Sequence, residues 1–180
     1  MAIRKACEVS QRLTEGKVPK YDLIIGAHTI IYMEGKIYGK PKNSEEAAAM
    51  LKAFIGKAHA VYTGVCVKLN FFLLDPASFS ESTKVYFGKI TEEVVKSYVD
   101  SGEPLEKVGA YDIEAKGGTL IEKIEGDYFN VLGLPLHKLS THLFQLYKEF
   151  TQQLTYAIVE TGEDAPGLGA VNVFKKIENI

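Results

Sequence analysis

The segment Asp22-Leu-Ile-Ile-Gly-Ala-His-Thr-Ile-Ile-Tyr32 constrains this chain more than any other. Its apolar, β-branched residues read as a strand buried on both faces, which commits the chain to a sheet with covering layers. Residues 22–25 and 28–33 are expected to form that strand, with a break at Gly26-Ala27 where the backbone could approach a ligand. The pair His28-Thr29 follows the break. A polar pair on an otherwise apolar strand is where an α/β protein commonly holds its chemistry.

The neighbouring segments supply the cover. Ile3, Ala6, Cys7, Ser10 and Leu13 fall on one face of a helix expected over 2–13. A turn is expected at 16–20. Glu34-Gly35-Lys36 reads as a tight turn into a short return strand at Ile37-Tyr38. Asn43-Ser44-Glu45-Glu46 opens a helix with a capping side chain and first-turn acids. Ala47, Met50, Leu51, Phe54 and Ile55 continue it at helical spacing, and Gly56 ends it. A long strand is expected over 59–74, with a bulge at Thr63-Gly64, and its partner over 81–89. Thr91 is expected to cap a helix carrying Val94, Val95, Tyr98 and Val99. A charged, glycine-rich loop spans 105–118 before a strand at 119–124. Pro135 opens a last helix with Leu136, Leu139, Leu143, Leu146, Tyr147 and Phe150 inward. The tail from about Thr161, with its glycines and acids, reads as loose. Strands alternating with helices place the chain in the α/β (α+β) class.

Composition narrows the function. The 180 residues carry a net charge of −2 with basic residues spread along the chain, which argues against a nucleic-acid partner. No apolar run reaches the roughly 18 residues of a membrane span, and no leader pattern opens the chain. Cys7 and Cys66 sit in apolar patterns and read as buried free thiols, so a cytoplasmic location is expected. His59, His137 and His142 lack metal-ligand spacing, and no metal ligand set is assigned from the sequence.

Several motifs point to one family together: Gly26-Ala-His-Thr29, Gly39-Lys-Pro41, Val61-Tyr-Thr-Gly-Val65, the run from Ser101 to Tyr111, and the run from Glu125 to Pro135. In order and spacing, with Lys5-Ala6 and Val9 in the first helix, they resemble the Maf (septum-formation) nucleoside triphosphate pyrophosphatases. The resemblance is strongest to the Maf domain that fronts animal acetylserotonin O-methyltransferase-like proteins, and it covers roughly residues 3–150. It implies a mixed, twisted sheet flanked by helices, of Maf and inosine triphosphatase type. It implies a domain over 1–150 followed by a non-family tail over 151–180.

The resemblance also implies an activity: nucleoside triphosphate and water give the monophosphate and pyrophosphate, by attack on the α-phosphorus with Mg²⁺ or Mn²⁺ assisting. His28 stands at the family's catalytic Asp. Lys5 and Lys40 are implied on the phosphate side, and Lys107 reads either as a phosphate contact or as a solvent-exposed partner of Glu106. Thr29 stands where base choice is influenced, and Glu114 where the dTTP and UTP subgroup carries Gln. An ionised Glu only accepts hydrogen bonds whereas Gln also donates, so Glu114 is expected to weaken recognition of a uracil or thymine carbonyl.

Two departures bear on activity. Imidazole is a poor ligand for Mg²⁺, which prefers hard oxygens, although neutral His can accept a proton. The family's front segment, a first strand, a Ser-x-Ser-x-Arg-Arg loop and a helix, is expected to be missing, because the chain begins inside the Lys-Ala helix. Two readings stay open: a pyrophosphatase with weak turnover, or a catalytically dead Maf domain that binds nucleotide or serves as a dimerisation module, with a homodimer as its expected partner state.

Overall fold

A computed structural model of the chain describes residues 1–14, 21–70 and 75–161, with side chains given as far as Gln152. The elements in order are α1 (Ala2–Thr14), β1 (Leu23–Met33), β2 (Lys36–Tyr38), α2 (Ser44–Phe54), β3 (Ala58–Leu69), β4 (Ala77–Phe87), α3 (Glu92–Asp100), three short 3-10 turns between Glu103 and Leu120, β5 (Ile121–Glu125), α4 (Tyr128–Leu132) and α5 (Leu136–Thr161). The strands form one sheet in the order β2-β1-β3-β4-β5, with β1–β2 and β4–β5 antiparallel. The α/β class read from the sequence is the class found. The expected turn at 16–20, the strand extension over 71–74 and the tail beyond Thr161 lie outside the described residues.

The chain divides into two compact units. One comprises residues 27–64 and 79–136. Its core is built on α2, whose Ala47, Leu51 and Phe54 are fully buried. The Asn43 side chain accepts from Glu46 N at 2.8 Å and fixes the start of that helix. Phe54 packs edge-on to Tyr38 and Phe87, at ring-centroid separations of 4.9 and 5.5 Å. Glu34 and Gly35, both at positive φ, close the two-residue hairpin between β1 and β2, as the sequence predicts. Of the apolar residues expected inward, Val94 and Leu136 are exposed. Val95, Tyr98 and Val99 alone complete the buried stripe of α3, and Leu136 stands in the first turn of its helix. Thr91 takes the N-cap position of α3, but its side chain makes no capping bond.

The other unit comprises residues 1–26, 65–78 and 137 onward. Ala2, Ala6, Ile24 and Cys66 form its small core, while Ile3, expected inward, is exposed on α1. Small residues on α1 bring it against β1. A Cβ on Gly26 would lie 2.7 Å from Ala2 O and 3.1 Å from Ala6 Cβ. This corrects two expectations. β1 does not break at Gly26-Ala27, and Gly26 admits the backbone of α1 rather than a ligand. Ser10 and Tyr21 close the same unit with a 2.6 Å hydroxyl–hydroxyl bond.

β3 runs through Thr63-Gly64 within Ala58–Leu69. A register shift falls between Tyr86 and Phe87 of β4, opposite β5.

These two strand glycines make a matched test. Gly26→Ala must push a backbone carbonyl, which costs about 1–3 kcal/mol. Gly64→Ala meets nothing within 4 Å and is expected to be neutral or slightly stabilising. Urea unfolding of the two variants should separate them by more than 1 kcal/mol (about the lower bound of that range).

Candidate active site

The 27–64 and 79–136 unit contains a cavity of about 220 Å³ whose walls come from four places. β1 supplies Thr29 and Ile31, β3 supplies Val61, α4 supplies Val131 and Leu132, and the 106–114 segment supplies the charges and Tyr111.

The polar wall of the cavity is held from behind. Thr63, fully buried, donates to Asn130 O at 3.0 Å and lies 2.9 Å from the Thr29 hydroxyl. The Asn130 amide donates to Val61 O and to Thr83 Oγ1, each at 3.0 Å. Thr83 in turn donates to Asp127 O at 2.8 Å. This chain of bonds ties β1, β3 and β4 to α4. The helix itself is framed by Asp127, which accepts from Phe129 N, and by Gly133 at φ +105°. A Cβ at Gly133 would sit 3.2 Å from Thr29 Oγ1, so both the backbone angle and the space require glycine.

A second set of bonds shapes the 106–114 segment and the loop after it. The Tyr98 hydroxyl donates to Glu103 Oε1 and accepts from Asp112 N, while Gly117 N also donates to Glu103 Oε1. Glu103 is thereby committed to the loop. A Cβ at Gly117 would lie 2.6 Å from the Tyr98 hydroxyl, so glycine there is a backbone requirement. Lys107 meets Asp112 at 2.6 Å, not its neighbour Glu106. Burial raises the Asp112 carboxyl, but bonds from Lys107 and from Glu114 N outweigh it and hold it below the usual range. The Tyr111 hydroxyl contacts His59 Nε2 at 2.8 Å, and burial pushes that phenol well above its ordinary range.

The residues singled out in the sequence fall in different places. Thr29, Lys107 and Glu114 line the cavity together. Lys40 does not line it; it reaches the rim through an exposed 3.4 Å contact with Glu106, while Gly39 O accepts from Gly109 N. His28 is half-buried on β1 and is not a lining residue. Successive strand side chains alternate, so His28 leaves β1 on the face opposite Thr29. Lys5 is exposed on α1, in the other unit. Asn130, Thr63, Glu106 and Asp112 were not assigned to the site from the sequence. Asn130 had a signal: a polar residue in Tyr-Phe-Asn-Val-Leu, framed by a capping Asp and a glycine.

Among the described residues, no group of three His, Cys, Asp or Glu is placed to hold a metal ion. Asp112 is already taken by Lys107 and a backbone N–H. These residues do not build a resident site for the divalent cation that the resemblance implies.

A family model described as "Maf-like protein" matches residues 1–146. The chain belongs to the Maf-like protein family. It is 46% identical over 140 residues to a dTTP/UTP pyrophosphatase of Carboxydothermus hydrogenoformans, covering 78% of this chain and 72% of that protein. It is 44% identical over 149 residues to the dTTP/UTP pyrophosphatase of Caldicellulosiruptor saccharolyticus, covering 81% and 72%. A human protein named a probable bifunctional dTTP/UTP pyrophosphatase/methyltransferase protein is 40% identical over 151 residues, covering 81% of this chain and 24% of that protein. Among the described residues of this Maf-like chain, no helix is long and apolar enough to cross a membrane.

The buried His59 gives this Maf-like domain an acid sensitivity. Desolvation lowers its imidazole from 6.5 to about 4. Between those values the unfolded chain binds a proton that the folded chain refuses, so stability is full above 6.5 and falls as pH drops toward 4. The loss at the lower end is about 3 kcal/mol. Urea midpoints measured at neutral and acid pH should show it, and His59→Gln should flatten it.

Proposed function

We propose that the chain is a nucleoside triphosphate pyrophosphatase acting on pyrimidine nucleotides, with the base in the Thr29 cavity and the phosphates outside it. The lining carries this reading. Glu106, Asp112 and Glu114 set three carboxylates against the one ammonium of Lys107. Such a wall repels a triphosphate and accepts an uncharged base. The volume of about 220 Å³ is below the roughly 300–1,000 Å³ of sites that hold drug-sized ligands, and it suits a base with part of its sugar. The relatives named dTTP/UTP pyrophosphatases support a uracil or thymine base.

β1 offers a route for the phosphates. β2 pairs with Ile31, Tyr32 and Met33, and the stretch of β1 just before them carries His28 and Thr29. A nucleotide lying along this stretch has its base beside Thr29 and its phosphates toward His28. Water then adds to the α-phosphorus, His28 accepts the proton, and the α–β bridging oxygen leaves with pyrophosphate. The Mg²⁺ or Mn²⁺ that the resemblance implies would supply charge neutralisation at the phosphates. An imidazole in place of a carboxylate attracts that cation poorly, so turnover is slow. The second reading, nucleotide binding without turnover, is favoured by His28 at the position of the family's catalytic Asp.

The test is pyrophosphate release by the purified full chain from dTTP and UTP, with Mg²⁺ or Mn²⁺, against CTP and ATP. The expected result is slow release that prefers dTTP and UTP. His28→Asp should raise the rate by roughly tenfold or more, since a lost base or metal ligand costs orders of magnitude. Glu114→Gln should lower KM for UTP by roughly tenfold, the worth of one hydrogen bond. Binding of UTP with no release, even in His28→Asp, selects the second reading. No binding at millimolar UTP rejects both.

A further inference from the structure

The bonds behind the cavity have a direction. Asn130 O is a carbonyl and can only accept, so the Thr63 hydroxyl spends its single proton there. The 2.9 Å contact between Thr63 and Thr29 must then be donated by Thr29. Thr83 likewise spends its proton on Asp127 O and receives the Asn130 amide. Each hydroxyl therefore points its proton inward, away from the cavity. Reversal would forfeit the Thr63–Asn130 bond in a region where Thr63, Thr83 and Asn130 are all buried. Asn130 O keeps Gly133 N as its other donor, so the polarity is held by one hydrogen bond and can be removed by one substitution.

We infer that Thr29 faces the cavity as an acceptor only, and that Thr63 and Asn130 are positioning residues that impose this polarity on it. What Thr29 recognises is then an N–H or O–H of the nucleoside. A phosphate oxygen, a base carbonyl or an unprotonated ring nitrogen cannot pair with it. Uracil and thymine present an N–H at ring position 3, where cytosine presents a bare nitrogen, so an accept-only Thr29 favours the former pair. A sugar hydroxyl is the other donor that could reach it. This inference rests on the nucleotide reading above for its ligand, but not for the hydroxyl directions.

The two parts can be tested separately. Neutron diffraction of the deuterated full chain should place the Thr29 deuterium toward Thr63 and the Thr63 deuterium toward Asn130 O. A Thr63 deuterium directed at Thr29 would overturn the inference whatever the protein binds. For the ligand, calorimetry should compare UTP, N3-methyl-UTP and 2′,3′-dideoxy-UTP. One blocked analogue is expected to bind at least tenfold more weakly than UTP: the N3-methyl compound if the donor is the base, the dideoxy compound if it is the sugar. Thr63→Val, which frees the Thr29 proton to turn outward, should shrink that gap to under threefold, while Thr63→Ser should restore it. Equal affinities for all three nucleotides, or a gap unchanged in Thr63→Val, would overturn the recognition role. If UTP itself fails to bind while the neutron result holds, the nucleotide reading falls and the hydroxyl polarity stands.

Discussion

The Asn130 side chain holds this site together. Its amide bridges a β3 carbonyl and a β4 hydroxyl from inside the protein, where an unpaired polar group costs about 1–3 kcal/mol. That penalty makes the arrangement mutual. Val61 O and Thr83 Oγ1 must stay in place for Asn130 to be satisfied, and α4 must stay in place for Asn130 to be there. Val131 and Leu132, next along α4, thereby hold one wall of the cavity, and Thr29 holds the opposite one through Thr63. Among the described residues, the Asn130 carboxamide oxygen and His59 Nδ1 are buried without a hydrogen-bond partner.

The charged wall is built by a different route. Glu103 looks in sequence like a helix stop followed by proline, and it is that. Its carboxylate also gathers the Tyr98 hydroxyl and Gly117 N, and the same hydroxyl accepts from Asp112 N, so the end of α3 is tied to the loop carrying Asp112 and Glu114. The outcome is a carboxylate-rich rim whose lysines are already answered: Lys107 by Asp112 and Lys40 by Glu106. The second pair is exposed and worth little. The first is partly shielded and holds the Asp112 carboxyl ionised. A lysine committed in this way neutralises its own wall before it can neutralise a phosphate. For this reason the cavity is assigned to the base, although one sequence reading of Lys107 makes it a phosphate contact.

What could be read from the sequence follows from which signals are local. Helix α2 was legible from Asn43 to Gly56 because cap, acidic first turn, apolar spacing and terminating glycine all agree. The hairpin at Glu34-Gly35 was legible for the same reason. Gly26 was misread because a glycine in a strand signals close approach without saying of what, and here the neighbour is a helix from a distant part of the chain. The role of Thr63 behind the cavity had no local signal, because its partner Asn130 lies 67 residues away. Ile3, Val94 and Leu136 kept the helical spacing yet stand in solvent, since spacing gives a face and not its depth. The motif containing Asn130 was recognised as a pattern, but α4 within it is too short to show periodicity.

The two-residue period of β1 has the largest consequence for function. His28 and Thr29 are adjacent in sequence, and on sequence alone they read as one site. A strand separates neighbours onto opposite faces, so the residue expected to move protons and the residue that lines the cavity belong to different surroundings. Thr29 is held in place by its bond to Thr63, which is itself bonded to Asn130 O. His28 is half-buried on β1 and does not line the cavity. A change of proton acceptor at position 28 is therefore expected to alter rate while leaving the choice of base where Thr29 and Glu114 put it. On the proposed reading, the histidine at 28 belongs to the chemical half of the site, while buried hydrogen bonds hold the half that contains Thr29.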